Sequence, residues 1–149
     1  MTTTGALVLA AGVSRRFGGD KRAARLPNGA TVAGETLHHL SAAFDAIHVV
    51  LRDSDSDALI ESLTTAAPNV RFSRCHDAHL GMGHSLAHGV AQVAEWDGLA
   101  VCLADMPFIQ AHTYRRLIEA FKTEAKSRAI LVPTYRSKRG HPVLFGSEH

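Results

Sequence analysis

The chain has 149 residues, of which 46% are hydrophobic and 20% are charged, a composition typical of one globular domain rather than of a disordered segment. Its net charge of +2 is too small to indicate nucleic-acid binding, and its basic residues are local, which suits a small anionic ligand. No apolar run reaches the roughly 20 residues of a transmembrane helix, so we expect no membrane segment. The two cysteines have no metal-binding spacing, which favours buried thiols in the cytoplasm.

Short apolar segments alternate with amphipathic segments along the chain. The predicted strands are, in order, Gly5–Ala10, Ile47–Leu51, Val70–Arg74, Gly98–Leu103, Ala129–Val132 and a segment that begins at Pro142. The predicted helices are Val32–Phe44, a helix that follows Asp57 and ends near Ala67, His84–Trp96 and Ala111–Lys126. This alternation predicts an α/β fold, a Rossmann-like three-layer α/β/α sandwich with a mostly parallel sheet. Ligands of such folds bind beyond the carboxyl ends of the strands.

A glycine-rich basic loop, Leu9–Lys21, directly follows the first predicted strand. Its glycines allow backbone N–H groups to approach an anion closely, and Ser14 adds a hydroxyl donor. The cationic side chains, which supply the charge that phosphates need, are those of Arg15, Arg16, Lys21 and Arg22. The glycine spacing matches neither the Walker A loop nor the dinucleotide-binding fingerprint. The loop therefore predicts a nucleotide phosphate site of another kind.

Three later segments combine turn residues with groups that bind anions or cations. Asp105 follows the predicted strand Gly98–Leu103, where Mg²⁺ is a natural partner for a carboxylate; a helix cap or an ordinary loop aspartate is the alternative. Gly81–Ser85 leads into a helix whose first N–H groups can bind phosphate or a base edge, or it is only a tight loop. Arg139–His141 either lines the acceptor side of a cleft or is only a turn before a strand.

Taken together and in order, these segments resemble the motifs of the molybdenum-cofactor nucleotidyltransferases. Leu9–Lys21 is similar to the family signature Leu-Ala-Ala/Gly-Gly-x-Ser-x-Arg-(Met/Phe)-Gly-x-x-Lys. The segments that resemble its later motifs are Gly81-Met82-x-x-Ser85-Leu86, Leu103–Pro107 and Gly140–Val143. The resemblance covers essentially the whole chain. Ala11 before Gly12 resembles the cytidylyltransferase branch more than the guanylyltransferase branch.

The resemblance implies the fold of the nucleotide-diphospho-sugar transferases and a Mg²⁺-dependent transfer of CMP from CTP to the phosphate of a molybdopterin-type cofactor, with release of pyrophosphate. By the same match, Asp105 would hold the metal and would be catalytic together with Arg16 and Lys21. The implied nucleotide-binding residues are Leu9, Ala10, Ala11, Gly12, Ser14, Arg16, Lys21, Gly81, Met82 and Ser85. The implied acceptor-binding residues are Arg139, Gly140 and His141.

The partners that the resemblance implies are CTP or another nucleoside triphosphate, molybdopterin, and a molybdoenzyme or its chaperone. Members of this family continue with further strands, so residues 1–149 are expected to form a single nucleotidyltransferase domain without the family's C-terminal portion. Two other functions stay open. One is a nucleotidyltransferase that acts on a sugar phosphate or another phosphorylated acceptor, and the other is a nucleotide-binding module without turnover.

Overall fold

The computed structural model describes residues 3–12, 18–124 and 127–149. These residues contain eight strands and four α-helices, which are joined by loops and two short 3-10 helices. The strands are β1 (Thr4–Leu9), β2 (Ile47–Arg52), β3 (Val70–Cys75), β4 (Gly98–Leu103), β5 (Ile130–Leu131), β6 (Thr134–Tyr135), β7 (Lys138–Arg139) and β8 (Val143–Gly146). The helices are α1 (Val32–Ser41), α2 (Asp57–Ala66), α3 (Met82–Gln92) and α4 (Ala111–Thr123). Within the described residues, no helix is long and apolar enough to cross a bilayer.

The central sheet has the strand order β3-β2-β1-β4-β8-β5, and its first four strands are parallel. β8 runs antiparallel to both β4 and β5, so the sheet is mostly parallel, as predicted. The chain proceeds from β1 to β2 and β3 on one side and then crosses to β4 on the other. β1 and β4 therefore flank the point at which the strand order reverses, where open α/β sheets bind their ligands.

One face of the sheet carries the larger core, under α1, α2 and α4. Ala6 and Val8 of β1 point to this face, because alternate residues of a strand face opposite sides of the sheet. Phe44 and Tyr114 pack there edge to face, with ring centroids 6.0 Å apart. This face binds the helices to the sheet through apolar contacts and leaves the ends of the strands available for polar groups.

The opposite face is covered by α3. Leu7 and Leu9 of β1 pack there with Val50 and Trp96. A Cβ atom on Gly89 of α3 would lie 2.7 Å from a Leu7 methyl carbon and 2.8 Å from a Val50 methyl carbon. Glycine is therefore the residue that lets α3 lie this close to β1 and β2.

The ends of two helices differ from the sequence-based prediction. α1 ends at Ser41 rather than at Phe44, because the chain turns there while the Phe44 ring stays buried. α3 starts two residues earlier than predicted, directly after Gly81, whose φ of 131° separates it from the preceding turn. It also ends earlier, before Val93. The apolar spacing continues beyond the helix because Val93 and Trp96 are buried from a turn.

The C-terminal part also departs from the prediction in detail. The predicted end of α4 at Lys126 lies outside the described residues, and the helix is described to Thr123. The strand predicted over Ala129–Val132 is limited to Ile130–Leu131. The basic turn region is a short hairpin, β6 and β7, in which Tyr135 pairs with Lys138.

Candidate functional site

The site is built at the edge of the sheet where β1 to β4 end, which we call the carboxyl edge. Leu9, the last residue of β1, pairs in register with Leu103, the last residue of β4. The backbone N–H of Ala104 donates to the Leu9 carbonyl at 3.2 Å, which continues the contact past the strand ends. The loop after Leu9 and the segment with Asp105 therefore leave the sheet side by side.

Lys21 and Asp105, which are 84 residues apart in the sequence, meet at this edge. Lys21 Nζ lies 3.0 Å from Asp105 Oδ2, and their side chains are 46% and 39% exposed. Asp20 caps the short 3-10 helix Lys21–Ala23 by accepting from the Arg22 backbone N–H at 3.0 Å, which fixes the backbone that carries Lys21. The pair places a cation and a carboxylate within reach of a ligand at the switch point.

The start of the predicted phosphate loop is well packed. Leu9, Ala10 and Ala11 are buried at the end of β1, whereas Gly12 is exposed. The chain therefore passes from the core to solvent between Ala11 and Gly12. Ser14 and Arg16, which sequence analysis assigned to the nucleotide, lie outside the described residues.

Arg22 differs from the expectation that it supplies charge to phosphates. Its side chain is 6% exposed and forms a fork with Asp55, through Nη1 to Oδ2 at 2.7 Å and Nη2 to Oδ1 at 2.6 Å. It also donates to Asp20 through Nε at 3.0 Å and Nη2 at 2.8 Å, and to the Ala10 carbonyl through Nη1 at 2.9 Å. A guanidinium has five N–H groups, and these five contacts use all of them. Arg22 is a structural cation rather than a phosphate ligand.

Opposing effects set the pKa values in this ion-pair network. Burial acts to lower the pKa of Arg22, but the hydrogen bonds with Asp55 and Asp20 outweigh it and raise that pKa. Burial also acts to raise the pKa of Asp55, yet the hydrogen bonds from Arg22 and from the Arg52 backbone N–H bring it below its usual range. The hydrogen bond with Arg22 lowers the pKa of Asp20 as well. All three groups are therefore charged at neutral pH.

Arg52 is a site residue that sequence analysis missed. It ends β2, and its guanidinium donates through Nε to the Ala11 carbonyl at 3.3 Å and through Nη2 to the Gly12 carbonyl. Its backbone N–H donates to Asp55 Oδ2 at 2.8 Å, which joins it to the Arg22 network. Its position in the sequence could have indicated a site residue, because Arg52 is the last residue of a strand adjacent to β1 and Asp55 follows that strand.

Gly81–Ser85 also lies at the carboxyl edge. It follows the end of β3, and α3 begins at Met82 and runs back across the sheet toward the start of β4. Met82 is 63% exposed, whereas Ser85 is buried. The first N–H groups of α3 therefore lie at the carboxyl edge, as the β1 loop does. A helix N-terminus attracts anions through these groups.

The predicted acceptor segment reaches the same edge from the other side. β8 is antiparallel to β4, and its first residue, Val143, pairs with Val101, so the chain that leads into β8 lies near the carboxyl end of β4. Arg139 and His141 in this segment are exposed. The Gly140 N–H donates to the Pro133 carbonyl at 2.8 Å, which closes the base of the hairpin.

Comparison with known proteins resolves the family. Residues 6–149 match the family described as the MobA-like NTP transferase domain. The chain belongs to this family. Membership confirms the resemblance drawn from the motifs, and it identifies the chain as a nucleotidyltransferase.

Two curated relatives match this MobA-like domain over nearly all of its length. Purine catabolism protein PucB of Bacillus subtilis is 30% identical over 151 residues, which cover 93% of this chain and 72% of PucB. Bifunctional protein GlmU of Corynebacterium aurimucosum is 28% identical over 151 residues, which cover 95% of this chain but 30% of GlmU. The chain thus spans less than half of GlmU and most of PucB.

Solved structures confirm the fold class of the MobA-like domain. Rv0371c from Mycobacterium tuberculosis superposes with a TM-score of 0.76 at 28% identity, over 97% of this chain and 72% of that one. A second structure of Rv0371c, a complex with manganese, superposes with a TM-score of 0.71 at 26% identity, over 97% and 71% of the two chains. The α/β architecture with a six-stranded, mostly parallel sheet is shared.

The carboxyl edge of the MobA-like domain offers a cation the carboxylate of Asp105. Within the described ranges, no three His, Cys, Asp or Glu side chains are grouped closely enough to hold a metal by themselves. The Asp105 side chain is partly exposed to solvent, and its Oδ2 accepts a hydrogen bond from Lys21. A single such carboxylate fits Mg²⁺, which binds proteins through one or two carboxylates and takes its other ligands from phosphates and water. It does not fit a closed structural metal site.

Proposed function

We propose that the chain transfers CMP from CTP to the phosphate of a molybdopterin-type acceptor, with release of pyrophosphate, in the cytoplasm. The observation that carries the proposal is the meeting of Lys21 and Asp105 at the switch point of the sheet, directly beside the start of the β1 loop. A triphosphate there would meet a lysine cation and the N–H groups of the loop. We assign Leu9–Gly12, Ser14, Arg16 and Lys21 to the nucleotide.

The reaction needs no protein nucleophile. An oxygen of the acceptor phosphate attacks the α-phosphorus of CTP, a new P–O bond forms, and the bond to the β-phosphate oxygen breaks as pyrophosphate leaves. The enzyme has to align two anions and offset the charge of the leaving group. The Lys21 ammonium offsets negative charge on the phosphates. The backbone that carries Lys21 is held in place by the Asp20 cap and the Arg22 network.

Asp105 would hold a divalent metal, and we propose Mg²⁺. When bound, the metal supplies charge stabilisation to the phosphoryl oxygens in the transition state. The manganese complex of Rv0371c, to which this chain is similar, supports a divalent cation here. Lys21, beside Asp105, would contribute its positive charge to a phosphate oxygen.

The choice of substrates rests on sequence. Ala11 before Gly12 supports CTP, because this pair resembles the cytidylyltransferase branch of the family. We assign Gly81, Met82 and Ser85 to the base and ribose, since they begin α3 at the carboxyl edge. Arg139, Gly140 and His141 would contact the acceptor phosphate from the β8 side of the cleft. A molybdoenzyme or its chaperone would receive the product.

The test measures pyrophosphate release with CTP, GTP, UTP and ATP in separate reactions, each with Mg²⁺ and with molybdopterin or a sugar phosphate as acceptor. We expect release to require molybdopterin and to be fastest with CTP. Faster release with a sugar phosphate would replace the acceptor proposal. A preference for GTP would contradict the assignment to the cytidylyltransferase branch, and binding of CTP without any release would favour a module without turnover.

A further inference from the structure

Three consecutive carbonyl groups at the start of the β1 loop are held by two arginines. The Ala10 carbonyl accepts from Arg22, and the carbonyls of Ala11 and Gly12 accept from Arg52. Neither arginine belongs to the loop motif. Arg22 follows the loop in the sequence, and Arg52 ends the neighbouring strand β2.

Asp55 connects the two arginines. Its carboxylate accepts the fork of Arg22 and also the backbone N–H of Arg52, so the position of each arginine depends on the same group. Asp55 is itself buried and lies directly before Ser56, the N-cap of α2. Arg74 also donates to the Asp55 carbonyl, at 2.6 Å, but among the described residues it makes no contact with the loop and is not part of this network. The network therefore anchors the loop to β2 and α2.

The direction of the carbonyl groups matters for an anion site. In a planar trans peptide, the carbonyl of one residue and the N–H of the next point in opposite directions. With the carbonyls of Ala10 and Ala11 directed at the guanidinium groups, the N–H groups of Ala11 and Gly12 are directed away from them. A carbonyl oxygen would repel a phosphate oxygen, whereas an N–H group attracts it.

We propose that Arg22 and Arg52, linked by Asp55, are positioning residues: they hold the carbonyl groups of Ala10 and Ala11 away from the triphosphate, so that the N–H group of Gly12, where the chain becomes exposed, faces it. This inference rests on the proposed function in one respect, namely that the β1 loop binds a triphosphate. It does not depend on the base or on the acceptor. Arg52 acts through the loop backbone and not by contact with the nucleotide.

The experiment compares binding of inorganic tripolyphosphate and of CTP, each with Mg²⁺, to the full chain and to three variants. Arg52→Gln removes both carbonyl contacts. Arg52→Lys keeps the charge but cannot reach two carbonyls with one planar fork. Arg74→Gln is the matched control, because Arg74 donates to the same turn without a contact to the loop. Affinity is measured by titration calorimetry, and the melting temperature is measured without ligand.

We expect Arg52→Gln to weaken tripolyphosphate and CTP by about tenfold or more, since small displacements of a binding group have large effects. We expect Arg52→Lys to lose most of the same affinity and Arg74→Gln to stay within about twofold of the unmodified chain at a similar melting temperature. Wild-type affinity in Arg52→Gln, or an equal loss in Arg74→Gln, would overturn the inference. Full rescue by lysine would also overturn it, because charge alone would then suffice.

Three further outcomes are decisive, and the second of them separates this inference from the proposed function. If Arg52→Gln does not fold, Arg52→Lys decides: a tenfold loss supports positioning, and unchanged affinity overturns it. If the unmodified chain binds tripolyphosphate and prefers GTP over CTP, the proposed substrate is wrong, but the comparison of the variants still tests Arg52. If the unmodified chain binds neither tripolyphosphate nor any nucleotide, the inference fails together with the assignment of the loop.

Discussion

The proposed nucleotide side of the site and its proposed acceptor side are built in different ways. On the nucleotide side, Arg22 is 6% exposed and all five of its N–H groups are engaged by Asp20, Asp55 and the Ala10 carbonyl. On the acceptor side, the residues of the β6–β7 hairpin are exposed, and two of its turn residues, Arg136 and Ser137, have φ values of 48° and 63°. The triphosphate would thus meet a prebuilt surface, whereas the acceptor would meet an exposed hairpin with one closing hydrogen bond at its base.

Replacing Asp105 gives the largest expected effect, because Asp105 lies between the two sides. Asp105→Asn should reduce transfer by about a thousandfold, since the amide cannot hold a divalent cation as a carboxylate does. Stability without nucleotide should change by less than about 1 kcal/mol, as expected for a partly exposed ion pair. Metal-dependent turnover and the melting temperature measure the two effects. Glu95→Gln, which breaks an exposed pair with Arg71, is the control, and near-normal turnover of Asp105→Asn would exclude Asp105 from the metal site.

Acid should weaken the nucleotide side. Because the folded-state pKa of Asp55 and Asp20 is lowered, their contribution to stability is complete above the unfolded value of 3.8 and is lost as the pH falls below it. Asp55→Asn should cost about 3 kcal/mol at pH 7, because it leaves the buried Arg22 partly uncompensated. The free energies of unfolding of the unmodified chain and of Asp55→Asn, measured with urea between pH 7 and pH 3, should become more similar as the pH falls. Parallel curves would contradict the buried ion pair.

Removing the Lys21 ammonium tests the nucleotide side alone. Lys21→Ala should weaken triphosphate binding by about 1.5–3 kcal/mol, the usual value of a charge-assisted contact. Its effect on the melting temperature should be small, since the side chain is nearly half exposed. Calorimetric titration with CTP measures the first effect. Arg71→Ala removes an exposed cation elsewhere and should leave the CTP affinity unchanged, so an equal loss in both variants would indicate a nonspecific effect of net charge.

Close packing of α3 against β1 and β2 stabilises the strands that lead into the proposed nucleotide side. Gly89→Ala should lower stability by about 1–3 kcal/mol, because the new methyl group would overlap Leu7 and Val50. The melting temperature should fall by roughly 3–10 °C. Gly83→Ala is the matched control in the same helix, since its Cβ would have no neighbour within 4 Å. It should leave stability unchanged or raise it, and an equal fall in both variants would show that helix flexibility rather than close packing is responsible.

Changes on the acceptor side should have the smallest effects. Arg139→Ala should raise the KM for the acceptor a few-fold, leave the affinity for CTP unchanged and change stability by less than about 0.5 kcal/mol, because Arg139 is exposed. Arg136→Ala, at the tip of the same hairpin, is the control and should leave both KM values unchanged. A loss of CTP affinity in Arg139→Ala would show that the two sides are not separate.

The sequence predicted the general architecture because each central strand and helix has a local signal. Gly98–Leu103 is a short apolar run of the right length for a strand, and its predicted bounds agree with β4. The predicted C-terminal end of α3 was wrong because Val93 and Trp96 keep the apolar spacing of a helix while they are buried from a turn. The sequence placed both Lys21 and Asp105 beyond strand ends, but their contact at 3.0 Å depends on the pairing of β1 with β4, which the sequence analysis did not predict.

The Arg22 network could not be predicted in the same way. Arg22 follows a basic loop, and its sequence neighbours favour a phosphate ligand, whereas its actual partner Asp55 is 33 residues away. The pairing depends on how closely the end of β2 lies beside the end of β1, which is a property of the assembled sheet. Gly89 was missed for the same reason, since its requirement for a hydrogen atom comes from Leu7 and Val50 across the interface.

The route of the chain between β5 and β8 determines where this fold can accept an insertion. Residues 132–142 leave the sheet after β5 and return to it at β8, and β8 is held on both sides by β4 and β5. The hydrogen bond from Gly140 to Pro133 closes this excursion at its base, so lengthening its tip costs only loop entropy, about 0.6 kcal/mol for each doubling. A longer hairpin could therefore be inserted here without changing the strands of the sheet or the start of the β1 loop, so the proposed acceptor side could change while the proposed nucleotide side is kept.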